Sequence, residues 1–359
     1  MKEIEIINSE KTSSLKKRIT KIVNYLLLIT LTSIIISSCS SPSESAYISE
    51  PGRRDYVWTV DTIKQPFFDA FQIWGSSPDD VWVVGPGGSL GHTIWHYNGK
   101  KWSTDGMSRG ISPRCIYGFS RDNAWIAGSE GQIWHFNGYD WKRNYVFQKL
   151  GSSAYFVNIW GDNSSNIYVV GQTGIGETTK SLIVKYNGEY WSEIPFSINN
   201  YAFTDIKKSS ESGNTYFQAI ALDSLSNSIH CIYEFDNKQF KKLYTGTNEN
   251  GSFIQEIDQQ LYFVIGKVIN KYNGKFHPCF TINENKFVFR IYGKTLKDLF
   301  LNMSDGLAHY NGENTEYLLK FKNRQMFMDM MIFEKTVFVL TIDFENSINL
   351  IYKGVLQEK

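Results

Sequence analysis

Histidine and cysteine are scarce in this chain, with six and four among 359 residues. Only Cys115, Cys231 and Cys279 follow Cys39, an odd number far apart in sequence. They allow at most one internal disulfide and offer no metal-binding spacing, so a small buried thiol is the expected state of each. No single sign of charge predominates. Six basic and three acidic residues precede Cys39, so 37 less 6 leaves 31 basic residues and 36 less 3 leaves 33 acidic ones in the rest. A mature part near −2 lacks the basic face that nucleic acid requires. Long apolar runs are missing too. The stretch from Tyr25 to Ile36 is about a dozen residues, short of the roughly 18 to 20 needed to span a bilayer as a helix.

The ends of the chain are informative. Lys11, Lys16, Lys17, Arg18 and Lys21 precede that apolar stretch, and Ser37, Ser38 and Cys39 follow it. Charge, short apolar core and small residues in that order describe a secretion signal, with an uncleaved anchor as the lesser alternative. Ile36-Ser37-Ser38-Cys39 resembles the lipobox of bacterial lipoproteins. The resemblance implies diacylglycerol on the Cys39 thiol, cleavage before it and acylation of its amine, which together give a stable membrane anchor. Ser40 stands where Asp would direct inner-membrane retention in many Gram-negative lipoproteins. The outer membrane is therefore implied, with its periplasmic and cell-surface sides both open. The Ser- and Pro-containing segment Ser40 to Arg54 reads as a tether. Three parts result: a signal peptide over 1–38, a lipidated cysteine and tether over 39–54, and one folded domain over 55–359.

The folded part repeats itself. "FQIWGSSPDDVWVVG" followed by "TIWHYNGKKW" returns as "RCIYGFSRDNAWIAG" with "QIWHFNGYDW", and again as "VNIWGDNSSNIYVVG" with "LIVKYNGEYW". Later units are worn, but one aromatic marks each: Trp82, Trp125, Tyr168, Tyr216, Tyr262, Phe300 and Phe338, about 43 residues apart on average. Each unit holds three short runs rich in β-branched and aromatic residues, then Asn-Gly, then a fourth run. That pattern predicts four strands joined by tight turns, with two residues that tolerate positive φ closing the last hairpin. The strands are apolar at both parities, as sheets covered on both faces require. At the end, "LIYKGVLQEK" leaves too little chain for a fourth strand, whereas "DYVWTVD" near the start stands alone. Asp55 to Asp61 is therefore predicted to close the ring as the outer strand of the last unit. These units resemble the β-propeller superfamily, and in particular the repeats of bacterial secreted and lipoprotein propellers. The resemblance implies an all-β, seven-bladed ring of four-stranded antiparallel blades, with six blades as the alternative. It implies no fixed activity.

No motif carries obvious chemistry. The Asp box of sialidases, a nucleophile elbow and a phosphate loop are all missing, and no cofactor is expected. His96, His135 and His309 share one repeat position with Lys185, Glu234 and Lys271, which separates them by whole blades and argues against a metal site. At the start of the innermost strands stand Gln72, Cys115, Asn158, Asp205, Glu256, Arg290 and Asp329, a candidate ring around the central channel. Their plainest reading is solvation by channel water. Loops at Pro86 to Thr93, Gln172 to Lys180 and Asp223 to Ser228 share a face with the links between blades. Arg109, Arg114, Tyr145, Phe147 and Tyr155 are the candidate contacts there, since aromatic rings suit sugars and Arg suits carboxylates. The expected function is non-enzymatic binding of a protein or glycan by a monomer. A carbohydrate hydrolase or lyase using Asp205 and Glu256 as acid and base, and an envelope assembly scaffold, are the alternatives.

Overall fold

A computed structural model describes residues 50–358, apart from 65–68, 88–89, 150–153, 176–177, 224, 226 and 248–249. The signal segment, Cys39 and most of the tether lie outside the described residues. The chain from residue 51 onward forms seven sheets of four antiparallel strands, and in six of them the strands follow one another in sequence order. It is a seven-bladed β-propeller, and the six-bladed alternative is set aside. Blade 1 comprises Gln72–Ser77, Asp80–Val84, Ile94–Tyr97 and Trp102–Ser103. Blade 7 combines Gln325–Ile332, Thr336–Asp343 and Ile348–Leu356 with Tyr56–Ile63 from the start of the domain. The last pairing runs without interruption from Tyr56 opposite Leu356 to Ile63 opposite Asn349, so the two termini close the ring as expected.

Apolarity at both parities has its cause in the stacking of blades. Every residue of Asp80–Val84 and of Thr336–Asp343 is buried, because each second strand has a neighbouring blade on both faces. Among the described residues the core falls into seven clusters, each spanning one junction between adjacent blades. Trp82, Val84 and Ile94 of blade 1 meet Ile116, Ile126 and Trp141 of blade 2, for example. Each large apolar side chain buried there contributes about 1.5–3 kcal/mol.

The Asn-Gly hairpins work differently from the sequence expectation. Only the glycine takes positive φ, at 86° for Gly99, 91° for Gly138 and 99° for Gly188. The asparagine instead caps the turn with its side chain: Asn98 Oδ1 accepts from the backbone N–H groups of Lys100 and Lys101, both at 3.1 Å, and Asn137 does the same for Tyr139 and Asp140. Glycine is needed for a second reason. A Cβ on Gly138 would stand 2.8 Å from Cβ of Asp122 in the neighbouring turn. Aromatics before and after the turn then pair across it, Tyr97 opposite Trp102 and Phe136 opposite Trp141.

The repeat position shared by the three histidines is explained by the aromatic mark. His96 stacks on Trp82 at 4.0 Å, His135 lies 4.1 Å from Trp125, and His309 meets Phe300 edge-on at 4.8 Å. Lys185 lies over Tyr168 at 4.9 Å and Lys271 over Tyr262 at 5.7 Å, while Glu234 accepts from the Tyr216 hydroxyl at 3.0 Å. The position is kept for a polar group that covers an aromatic ring.

Candidate functional site

Each blade is a meander, which fixes two faces. Links between blades and turns between second and third strands share one, the link face. Hairpins between first and second and between third and fourth strands share the other, the hairpin face.

At the ring's centre lies a cavity of about 520 Å³, whose walls include Gln72, Asn158, Asp205, Arg290 and Asp329. The register shows how the sequence brings them together. Gln72, Cys115, Asn158, Asp205 and Asp329 sit opposite Val84, Ala127, Val170, Gln218 and Leu340, the same place in five blades. In blades 2, 3, 4 and 7 a β-bulge directly precedes that place. Bulges re-aim side chains. The extra residues, Arg114, Val157, Thr204 and Met328, all line the cavity.

Glu256 does not belong to this set. In blade 5 Ile254 pairs with Phe263 and Gln255 with Tyr262, so the ring place falls on Phe253 and Glu256 lies three residues further along. The sequence misled because Ile254 and Ile257 are both buried aliphatic residues preceded by another side chain, and polarity favoured the wrong one. Burial pushes the Glu256 carboxyl up, against the pull of Lys207.

The ring residues are joined to protein groups rather than left to channel water. Gln72 Oε1 accepts from the backbone N–H of Ile116 in the next blade at 2.7 Å. Asp329 accepts from Ile73 N–H at 3.1 Å, Met330 N–H at 2.9 Å and the Tyr292 hydroxyl at 3.0 Å, tying blades 1, 7 and 6 together. Burial still prevails over these bonds and pushes its carboxyl up. Asp205 accepts from Ile206 N–H and pairs with Lys207 Nζ, both at 2.8 Å. Arg290 Nη1 donates to the Met328 carbonyl at 3.2 Å. Cys115 is fully buried, and burial pushes its thiol up to about 12.

The five face candidates separate. Phe147 is buried in the junction between blades 2 and 3, and Tyr145 packs beside it, stacked on Trp191 at 5.8 Å. Outer-strand geometry turns both inward, so neither is a free platform. Arg109 is committed to its own loop, where it pairs with Asp105 and donates to the Met107 carbonyl at 3.2 Å. Arg114 and Tyr155 are half-buried near one another, and Arg114 lies 3.7 Å over the Phe71 ring on the cavity wall.

What the candidate list missed is apolar. Leu90, Met107, Ile175 and Leu225 are large exposed side chains in links and turns of the link face, and Leu222 ends the strand that runs into one of those turns; Ile175 and Leu225 are each 80% exposed. Three of them lie inside the very loops "PGGSLGHT", "QTGIGETTK" and "DSLSNS", where a lone aliphatic among glycines and serines was the available signal. The hairpin face carries Tyr139 and Tyr190 at its hairpin tips instead.

No protein-family model matches the chain, and a comparison with curated proteins finds no match. Solved structures do resemble it. A structure of YCF48 bound to D1 peptide is 14% identical and superposes with a TM-score of 0.59, covering 86% of this chain and all of that one. The BBS1N–ARL6DN complex gives 12% identity and a TM-score of 0.55 over 86% and 98% of the two chains. The WD40 propeller domain of Doa1 gives 12% and 0.55 over 84% and 98%. These likenesses establish the fold alone.

Proposed function

We propose that this protein is a binding propeller without catalytic function, which presents its link face to a protein partner at the cell envelope. The observation that carries the reading is the set of exposed aliphatic side chains on that face. Isolated surface apolar residues need no explanation, but several gathered on the loops of one face mark an interaction surface. Similar propellers support it by analogy: YCF48 was captured with a peptide and BBS1N with a protein. Against a glycan hydrolase or lyase stands the state of the channel carboxylates. Asp205 is paired with Lys207, Asp329 is held by three donors, and Glu256 lies off the cavity wall.

The membrane anchor at Cys39 belongs to the same proposal, and the described start of the chain is held to the propeller itself. Gly52 N–H donates to the carbonyls of Lys297 at 2.9 Å and Asn311 at 3.2 Å, in two turns of the hairpin face. Arg54 pairs with Glu316 at 2.9 Å and donates to Asn314 Oδ1 at 2.6 Å on the same side. The test is in-cell crosslinking of wild type beside an Ile175→Asp, Leu225→Asp double variant. One stoichiometric protein adduct, lost in the variant at unchanged melting temperature, is expected. Glycan binding without any adduct would move the reading to glycans, and glycan turnover lost in Asp205→Asn would overturn it.

A further inference from the structure

The central cavity contains more positive charge than its own carboxylates offset, and that imbalance goes beyond the link-face reading. Arg114, Arg290 and Lys207 line it against Asp205 and Asp329. Lys207 and Asp205 pair with each other. Among the described residues no carboxylate lies within ion-pair distance of either arginine. Arg290 spends one N–H on the Met328 carbonyl, lies 5.6 Å over the Phe253 ring and also bonds the Tyr292 side chain, while among the described residues Arg114 has the face of Phe71. A guanidinium stacked by its face keeps its edge of N–H donors free for a planar acceptor. Asp69 acts on Arg114 from further off, but burial pushes that carboxyl above its usual range. Partial burial together with the charge of Arg290 pulls Arg114 below the usual guanidinium range, as desolvation of a cation without a close carboxylate would.

Two further polar atoms on the same wall lack partners among the described residues, His230 Nδ1 and Ser252 Oγ. Between the charges the lining is apolar and aromatic, with Phe71, Phe253, Phe289, Val157 and Ile220. A cavity of about 520 Å³ with that mixture suits a small organic anion rather than an inorganic one. We infer that the channel binds an organic carboxylate, its two oxygens on the guanidinium edges of Arg114 and Arg290 and its apolar body against Phe71, Phe253 and Phe289. The carboxylate belongs either to a free small acid or to the C-terminus of a peptide.

Calorimetric titration of the intact mature protein with N-acetylphenylalanine and its amide tests the inference. A parallel titration uses a short peptide ending in Phe, as the free acid and as the amide. At least one acid is expected to bind, with its amide weaker by about tenfold to a hundredfold, as loss of a charge-assisted hydrogen-bond pair implies. Binding of the free acid alone identifies the small acid as the source, and binding of the peptide alone identifies the chain terminus. Arg114→Gln and Arg290→Gln should each weaken the acid by a similar factor and leave the amide unchanged, with circular dichroism confirming the fold. If either variant fails to fold, the comparison of acid with amide on the wild type still decides. Equal binding of acid and amide, no binding of either acid at 10 mM on the order of the weakest useful affinity, or binding of inorganic phosphate alone would each overturn the inference.

Discussion

Replacing Asp329 tests whether the inner ring is stapled by its polar residues. Asp329→Ala removes the acceptor for Ile73 N–H, Met330 N–H and the Tyr292 hydroxyl, donors from three blades. Each stranded donor costs about 1–3 kcal/mol, and water entering from the cavity lowers the sum to roughly 2–5 kcal/mol. At about 2 °C per kcal/mol, the lower end for large domains, the melting temperature should fall by roughly 4–10 °C. Asp329→Asn keeps one acceptor oxygen but turns an amide towards one of the donors, so a smaller loss of about 1–2 kcal/mol is expected. Burial raises the carboxyl above its ordinary value, so the folded state favours the neutral form. The sign follows: this group's contribution is fully present below the unfolded value near 3.8 and is lost as pH rises through the folded one. The penalty for Asn should therefore be larger near pH 4 than at pH 7. Thermal melts by circular dichroism at the two pH values measure both effects. Variants melting within 1 °C of wild type on the scale of about 2 °C per kcal/mol, or an Asn penalty that grows with pH, would refute the staple.

Gly138→Ala should destabilise by about 2–3 kcal/mol, since it combines positive φ with a Cβ clash at Asp122, whereas Gly274→Ala, with φ 95° and open space, should cost only about 1 kcal/mol. Equal losses in urea titrations would remove the case for the close turn contact. For Asp80, burial pushes the carboxyl up but hydrogen bonds from His96 and Ser76 win, leaving it lowered. Its contribution is present above the unfolded value and lost as pH falls, so Asp80→Asn should melt lower at pH 7 and show a flatter decline towards pH 3. With Cys39 replaced by Ser, a thiol reagent should label Cys279 promptly in the native protein and reach the buried Cys115 and Cys231 only after denaturation. Two prompt thiols, or none, would contradict the cysteine environments described.

Much of the fold could be read from the sequence because the propeller repeats its physics. Trp82, Trp125 and Tyr168 recur since each must be covered by a polar partner from the adjacent strand, and Asn-Gly recurs since one residue caps the turn while the other takes a φ that side chains resist. Ring closure was legible for the same reason: a seventh unit lacking a strand and a lone strand near the start can satisfy their edges only by pairing. The channel ring was half legible. Polar residues at one repeat place identify a wall, but register decides which residue occupies it, and in blade 5 two buried isoleucines three residues apart gave periodicity no means of choosing. The face candidates failed further because exposure depends on contacts from other blades. The stretch holding Tyr145 and Phe147 reads as a loop, yet Tyr145 is in the outer strand Trp141–Val146 and Phe147 directly follows it, and the blade junction draws both rings inward, while Ile175 and Leu225 stay outside where glycine- and serine-rich turns leave them exposed. On the reading proposed above, function in this ring resides in what the repeat does not dictate: the bulge that puts Arg114 on the channel wall, and the aliphatic residues that loops of unequal length carry out to solvent.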